Sequence, residues 1–246
     1  MRDIDDYTKN YMSMPFLKEN VKYRQECIRE QIMKYKHGNI LEIGCGMFPF
    51  FECLNADFDN YVVVEPSEVF VENVKSKIGR SKNIEVIQGF FEQESYKLYE
   101  RNFDFIICSS LLHEVSDAGC LLKAIHKVAN QNTVIHINVP NAMSMHRLIA
   151  KEMGLIDDVF QKSNSQEKLQ QRDVYDMQSL KEQVMENGFY IITGGGYFIK
   201  PFTHYQMSEM LDKKIINQDV IVGLQKIIKY FPEYGSEIFV NLRKDK

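Results

Sequence analysis

Asn39-Ile40-Leu41-Glu42-Ile43-Gly44-Cys45-Gly46 decides the fold. Its first half predicts a short strand buried on both faces, as in a parallel sheet covered by helices. The acid and the two glycines then predict a tight turn at the strand's carboxyl end. Gly44 and Gly46 let the backbone reverse sharply and let a ligand approach it closely. A turn of this kind holds a nucleotide-like cofactor.

Outward from that turn the chain alternates. Tyr61–Val64 predicts a second strand ending at Glu65-Pro66, and Ser67 can cap a helix carrying Val71, Val74 and Ile78 that Gly79 stops. Ile84–Ile87, Phe103–Cys108 and Thr133–Ile137 predict three more strands, with a helix capped by Asp117 before the last. The β-α-β order predicts a doubly wound α/β fold. Upstream, the spacing of Leu17, Val21, Ile28, Ile32 and Tyr35 predicts one helix over 14–36, with Ser13 as N-cap and Pro15 in its first turn. Downstream, 141–153 predicts a helix, 161–172 a polar loop, 176–187 a helix, 189–193 a strand broken off at Gly194-Gly195-Gly196, and 237–242 a last strand.

Bulk properties narrow the function. The 246 residues suit one α/β domain, and a net charge of −4 excludes a global basic field for nucleic acid. No apolar run reaches the roughly 18 residues a membrane span needs, so no membrane partner is expected. The start, Met1-Arg2-Asp3-Ile4-Asp5-Asp6, lacks an apolar signal core. Five cysteines without a C-x-x-C pair argue against a disulfide framework or a structural zinc. A reduced, cytoplasmic protein is the expectation, and a homodimer is left open.

The glycine turn admits more than one cofactor. Glu65, ending the next strand about 20 residues on, stands where a carboxylate accepts hydrogen bonds from ribose hydroxyls. The dinucleotide fingerprint needs a third glycine at position 49, which is Pro49, and no phosphate-binding G-x-x-x-x-G-K-[ST] loop exists. A nicotinamide-dependent oxidoreductase is therefore disfavoured.

Leu41-Glu42-Ile43-Gly44-Cys45-Gly46 resembles the first motif of class I S-adenosylmethionine-dependent methyltransferases, and Val62-Val63-Val64-Glu65-Pro66-Ser67 resembles the second. Gly89-Phe90 stands where that family has Gly-Asp. Phe103–Ile106 through Leu111-Leu112-His113-Glu114 resembles its fourth-strand segment. The likeness covers residues 38–140 well and the closing strands more loosely. It implies a Rossmann-like, doubly wound, mostly parallel seven-stranded sheet in a single domain over 1–246. Residues 1–37 would form an N-terminal helical lid, 38–140 the cofactor-binding core, and 141–246 a helical substrate flap with closing strands.

The same resemblance implies S-adenosylmethionine as cofactor. Gly44 and Gly46 would pass under its methionine part with Glu42 nearby, Glu65 would hold the ribose with Pro66 and Ser67 behind it, and Gly89-Phe90 would meet adenine. Ser109 and Ser110 would face the methionine end, and Tyr7, Tyr11 and Arg24 would close over it as the lid. A sulfonium is already a good leaving group, so no metal is required.

The acceptor is expected to be a small molecule. Residues 138–156 and 195–202 resemble, more loosely, bacterial methyltransferases of polysaccharide or natural-product assembly, which implies O-methylation of a sugar or biosynthetic intermediate. N-methylation and a non-catalytic cofactor-binding regulator are the alternatives. His113, after the fourth strand, is the candidate general base, against a role in merely orienting its loop. Asn138, His146, Arg147, Tyr197 and Lys200 are the substrate-side candidates, with Arg147 and Lys200 suited to a carboxylate or phosphate. Against these stand helix capping by Asn141, ordinary surface charge and hydrophobic packing. His136, inside an apolar strand, reads as a core histidine, and Cys45 lacks neighbours that would make a thiolate. The Pro-Pro-aromatic run of nucleic-acid amino-methylating enzymes is absent, since the position reads Ser109-Ser110-Leu111-Leu112, and no nucleic-acid partner is expected.

Overall fold

The computed structural model describes residues 2–54, 58–79 and 81–245. Seven strands form one sheet: β1 (Asn39–Ile43), β2 (Asn60–Glu65), β3 (Ile84–Gln88), β4 (Phe105–Ser109), β5 (Val134–Pro140), β6 (Phe189–Tyr197) and β7 (Glu237–Lys244). Their order is β3-β2-β1-β4-β5-β7-β6. The first five run parallel, and β7 is antiparallel to both β5 and β6. The reversal between β1 and β4 opens a crevice at the strands' carboxyl ends, where ligands bind in folds of this kind.

The near-continuous apolar strands cover two cores at once. Leu41, Ile43, Val62, Val64, Ile106 and Cys108 face one side, against Leu121, Leu122 and Ile125 of α5 (Ala118–Val128) and Leu180 and Val184 of α8 (Met177–Met185). Ile40, Tyr61, Val63, Phe105 and Ile107 face the other, against Ile28 and Ile32 of α2 (Leu17–Ile32) and Val74 of α3 (Glu68–Ile78). Alternate side chains therefore both enter apolar layers, which is why period-two patterning is missing. Ser67 and Asp117 cap α3 and α5 as expected.

A third cluster joins the two chain ends. Phe16 and Tyr23 pack with Tyr197, Phe198, Phe239, Met207 of α9 (His204–Asp212) and Ile221 of α10 (Gln218–Lys226). Helices α9 and α10 thus pack against α2 and the last strands.

Four expectations are corrected. The helix expected over 14–36 is α2, which starts only at Leu17, and Ser13 ends a separate preceding helix, α1 (Ile4–Met12), instead of capping it. Pro15 disfavours helical backbone at Met14, and Phe16 takes a left-handed φ of 59° that turns its ring onto Phe198, with centroids 6.1 Å apart. The helix expected from 141 begins at Met145 (α6, Met145–Glu152), because the Asn141 side chain instead donates to the carbonyls of Glu233 and Gly235 and accepts from Met143 N–H. The polar stretch 161–172 contains a short helix, α7 (Asn164–Lys168), with a Ser163–Gln166 capping box. Finally, β6 continues through Gly194-Gly195-Gly196. A Cβ on Gly196 would lie 2.5 Å from the Pro232 carbonyl oxygen, so the glycines let the 232–235 turn cross the strand.

Candidate active site

The crevice is lined by the β1 turn (Glu42, Gly44, Cys45, Gly46), the end of β2 (Glu65, Pro66), the end of β4 (Ser109, Ser110, Leu111), Glu114, and the N-terminal residues Arg2, Tyr7, Tyr11 and Arg24. Gly44 and Gly46 have φ values of +72° and +57°. These are conformations glycine adopts at little cost. A Cβ on Gly44 would meet the Leu111 side chain at 3.2 Å, and one on Gly46 the Tyr11 hydroxyl at 3.2 Å. The turn is therefore pressed from two sides and bare on its ligand face.

Glu65 is buried beneath it. Its carboxylate accepts from Gly46 N–H at 3.2 Å and from Ser67 N–H at 2.9 Å. Burial pushes its pKa up, and these two backbone donors oppose that. Glu42 lines the crevice but is already engaged, accepting from Phe50 N–H at 3.1 Å and the Tyr61 hydroxyl at 2.8 Å. Burial raises its carboxyl to about 7. Ser67 caps α3, and its hydroxyl pairs with Thr8 Oγ1 at 2.9 Å, so it supports the turn from behind. Gly89 donates its N–H to the Glu65 carbonyl, and Phe90 starts α4 (Phe91–Glu94); neither is among the residues lining the crevice. Cys45 is inert, since burial and Glu65 hold its thiol well above the usual range. All five cysteines are free, and no cluster of metal-ligating residues occurs among the described residues.

Two ion pairs fasten the N-terminal segment over the crevice. Arg2 reaches Glu114 at 2.5 Å while its guanidinium lies over the Tyr7 ring, 3.6 Å from the centroid. Arg24 meets Glu237, at the start of β7, with Nη2–Oε1 at 2.6 Å and Nε contacts of 3.1 and 3.2 Å. Tyr11 packs edge-on against Phe70, and Tyr7, Tyr11 and Arg24 all line the crevice.

The strand ends bring the substrate-side residues together. Asn138 donates to Glu237 at 2.7 Å and to the Tyr197 hydroxyl at 3.0 Å, and Tyr197 in turn donates to Glu237. Burial works against the Glu237 carboxylate, but Arg24, Tyr197 and Asn138 together hold its pKa below the usual range. Lys200 is 4% exposed. Burial pulls its ammonium down to about 7, against the pull of Glu237. His113 is 2% exposed, and neither ring nitrogen has a hydrogen-bond partner. Burial, with Arg24 and Arg2 adding, lowers it to about 3. Arg147 belongs to the scaffold instead of the substrate side, because its guanidinium donates to the Val159 and Gln161 carbonyls and to Gln166. His136 is the core histidine expected, bonded to Asn241 at 2.8 Å.

Sequence reasoning missed Glu237, Arg2 and His204. Each lies far along the chain from its partner, and only sheet order and chain closure bring them together.

Residues 19–193 match the family model described as a methyltransferase domain. The chain belongs to this family. It is a class I methyltransferase, and S-adenosylmethionine is its cofactor. The crevice residues fit that group: the glycine turn can take an adenosine without a pyrophosphate, and the buried Glu65 carboxylate beside it can accept from hydroxyls. The methyltransferase is similar to a Thermotoga maritima structure titled a possible histamine N-methyltransferase, at 16% identity, covering 94% of this chain and 92% of that one with a TM-score of 0.62. It is also similar to the N-methyltransferase NodS of Bradyrhizobium japonicum in complex with S-adenosylhomocysteine, at 13% identity, 95% and 90% coverage and a TM-score of 0.56. The [4+2]-cyclase SpnF, at 12% identity, 90% and 79% coverage and a TM-score of 0.58, has the same fold. No curated protein matches the chain. No helix among the described residues is long and apolar enough to cross a membrane.

Proposed function

We propose that this methyltransferase acts on a small polar acceptor held between the ends of β4, β5 and β7 and the flap. The observation that carries this reading is the buried hydrogen-bonded set Asn138, Tyr197 and Glu237, tied to the crevice through Arg24. A buried polar set of this kind suits recognition of a small polar molecule.

Bound S-adenosylmethionine supplies an activated methyl on a sulfonium. The chain's own residues do the rest. Glu65 accepts the ribose hydroxyls, and the bare faces of Gly44 and Gly46 allow close approach at the methionine end, flanked by Ser109 and Ser110. Arg24 has its Nε and Nη2 committed to Glu237, leaving Nη1 for the cofactor carboxylate. Tyr7 and Tyr11 exclude water from above. Catalysis is then mainly positioning in a dry site.

The choice of acceptor atom follows from His113. A base works best with a pKa near the working pH, and His113 is held at about 3. It accepts a hydrogen bond that orients the acceptor without fully removing a proton. That favours an amine bound in its neutral form, whose lone pair is then free before transfer, over an unactivated sugar hydroxyl. O-methylation of a sugar becomes the second reading.

The test is incubation with methyl-labelled cofactor and a panel of small amines and hydroxyl compounds, with calorimetric binding of S-adenosylhomocysteine as the reference. Label should move to a small amine. His113→Ala should lower turnover while leaving S-adenosylhomocysteine affinity within about twofold. Cofactor binding with no transfer across the panel would mark a non-catalytic binder and refute the reading.

A further inference from the structure

Three stretches far apart in sequence meet pairwise beside the crevice. Residues 2–3 meet 113–114 through the Arg2–Glu114 pair, at 2.5 Å and with side chains only 9% and 6% exposed. Residues 113–114 meet 172–173 through the His113 carbonyl, which accepts from Arg172 N–H at 2.8 Å and from Asp173 N–H at 3.2 Å. Gln170 brings the third stretch back to the first. Its side-chain amide donates to the Asp3 carbonyl and accepts from Asp3 N–H, both at 2.9 Å. The three junctions close a ring, and the loop carrying His113 is one of its members. Asn10 of α1 adds a bond to the Lys168 carbonyl at 3.1 Å.

Gln170 is an uncommon occupant of its position. α7 ends in a Schellman turn, with Gln170 N–H on the Glu167 carbonyl and Gln171 N–H on the Gln166 carbonyl. The turn requires left-handed backbone at Gln170, where φ is 55°. Glycine ordinarily stands there, because a side chain adds strain. A glutamine kept against that preference, with both ends of its amide on one main-chain residue of the N-terminal segment, points to a task for the side chain.

The ring connects the cover of the crevice to the His113 loop. Arg2, Ile4, Tyr7 and Tyr11 line the crevice, and the Tyr11 hydroxyl stands 3.2 Å from where a Cβ on Gly46 would be. A cofactor approaching the glycine turn has to displace this segment. The His113 side chain is buried with neither ring nitrogen bonded, so the placement of its ring depends on the backbone of its loop.

We propose that Gln170 is a positioning residue for His113, tying the seating of the N-terminal segment to the placement of the loop that carries the imidazole. This rests on the acceptor-orienting role given to His113 above. When the segment lifts, two of the three junctions open together, and the 113–114 loop keeps only its bonds to 172–173. When the segment reseats on the cofactor, the ring closes and His113 returns to the acceptor side. The acceptor site is thereby completed after the cofactor is enclosed.

The experiment uses the full chain saturated with S-adenosylhomocysteine. Gln170→Gly removes the side chain while suiting the left-handed backbone, so the turn itself is kept. Gln178→Ala, at an exposed amide of α8, is the control. Amide hydrogen exchange over 111–114 should rise at least about tenfold in Gln170→Gly, the loosening that losing two neutral hydrogen bonds supplies. It should stay at the wild-type level in the control. The His113 ring signal of histidine-labelled protein, identified by its absence from His113→Ala, should shift or broaden in Gln170→Gly. Once Arg2→Met has opened the ring, Gln170→Gly should add little. On an amine methylated in the panel above, Gln170→Gly should lower kcat with the cofactor KM within about twofold of wild type. Wild-type exchange over 111–114 with an unmoved His113 signal in Gln170→Gly, or fully additive effects of the two substitutions, would overturn the proposal. Full turnover by His113→Ala would instead sink the role of His113, and the exchange result separates the two failures.

Discussion

Replacing Glu237 by Gln probes the junction on which the acceptor chamber depends. The carboxylate takes Arg24 through Nε and Nη2, Asn138 through Nδ2 and the Tyr197 hydroxyl, at a residue 7% exposed. An amide of the same shape carries no charge and turns two donors toward groups that are themselves donors. Arg24 then remains a buried cation without its partner. Breaking a buried pair from one side costs about 3–5 kcal/mol. For a chain of this length each kcal/mol moves the melting temperature roughly 2–4 °C, so Glu237→Gln should melt about 6–20 °C below wild type at pH 7. Removing both partners, with Arg24→Met and Glu237→Leu together, should restore part of the loss, since an apolar pair leaves nothing unpaired. The pH dependence has a definite sign. A carboxyl depressed in the folded state contributes stability above its unfolded pKa, roughly 4.3, and loses it as pH falls through the folded value. The gap between wild type and Glu237→Gln should therefore narrow below about pH 4. Calorimetric melting of the ligand-free protein at pH 7 and pH 4 reads both effects. A Glu237→Gln melting temperature within about 2 °C of wild type at pH 7 would refute the claim that this carboxylate holds the N-terminal helices to the sheet.

Three further predictions address the crevice and the sheet. Glu65→Ala removes a charged acceptor for two ribose hydroxyls, each worth about 1.5–3 kcal/mol, so calorimetry should show S-adenosylhomocysteine bound at least roughly 100-fold more weakly; retained affinity would remove Glu65 from the ribose site. Glu42 has a folded pKa raised to about 7 by burial, so the folded state binds more protons and this group costs stability as pH rises from about 4.5 to 7. Glu42→Gln should accordingly gain on wild type across that window, by up to about 3 kcal/mol, and a pH-independent difference in denaturant midpoints would contradict it. Gly196→Ala forces a Cβ to 2.5 Å from the Pro232 carbonyl and should destabilise by about 1–3 kcal/mol, whereas Gly223→Ala, which meets nothing within 4 Å, should not; equal melting curves for the two would show that the 232–235 turn yields freely.

The cofactor half was legible because its signals are local. The β1 turn carries its glycines and acid within five residues, and Glu65 follows soon after because only a short crossing, with one 3-10 turn at Phe50–Cys53, separates β1 from β2. Pro49 alone was enough to separate an adenosine site from a dinucleotide site. The acceptor half obeys no such spacing. Asn138 and Glu237 are 99 residues apart in sequence and meet only because β7 inserts antiparallel between β5 and β6. Arg24 reaches the same carboxylate across 213 residues. Nothing near Glu237 in Glu237-Ile238-Phe239-Val240-Asn241-Leu242 marks it as other than the polar start of a strand. The triple glycine misled for a related reason. Locally it reads as the end of a strand, yet its purpose is to let the 232–235 turn pass over β6. Arg147 erred in the opposite direction: beside His146 it resembles an anion ligand, but the carbonyls of 159 and 161 claim it.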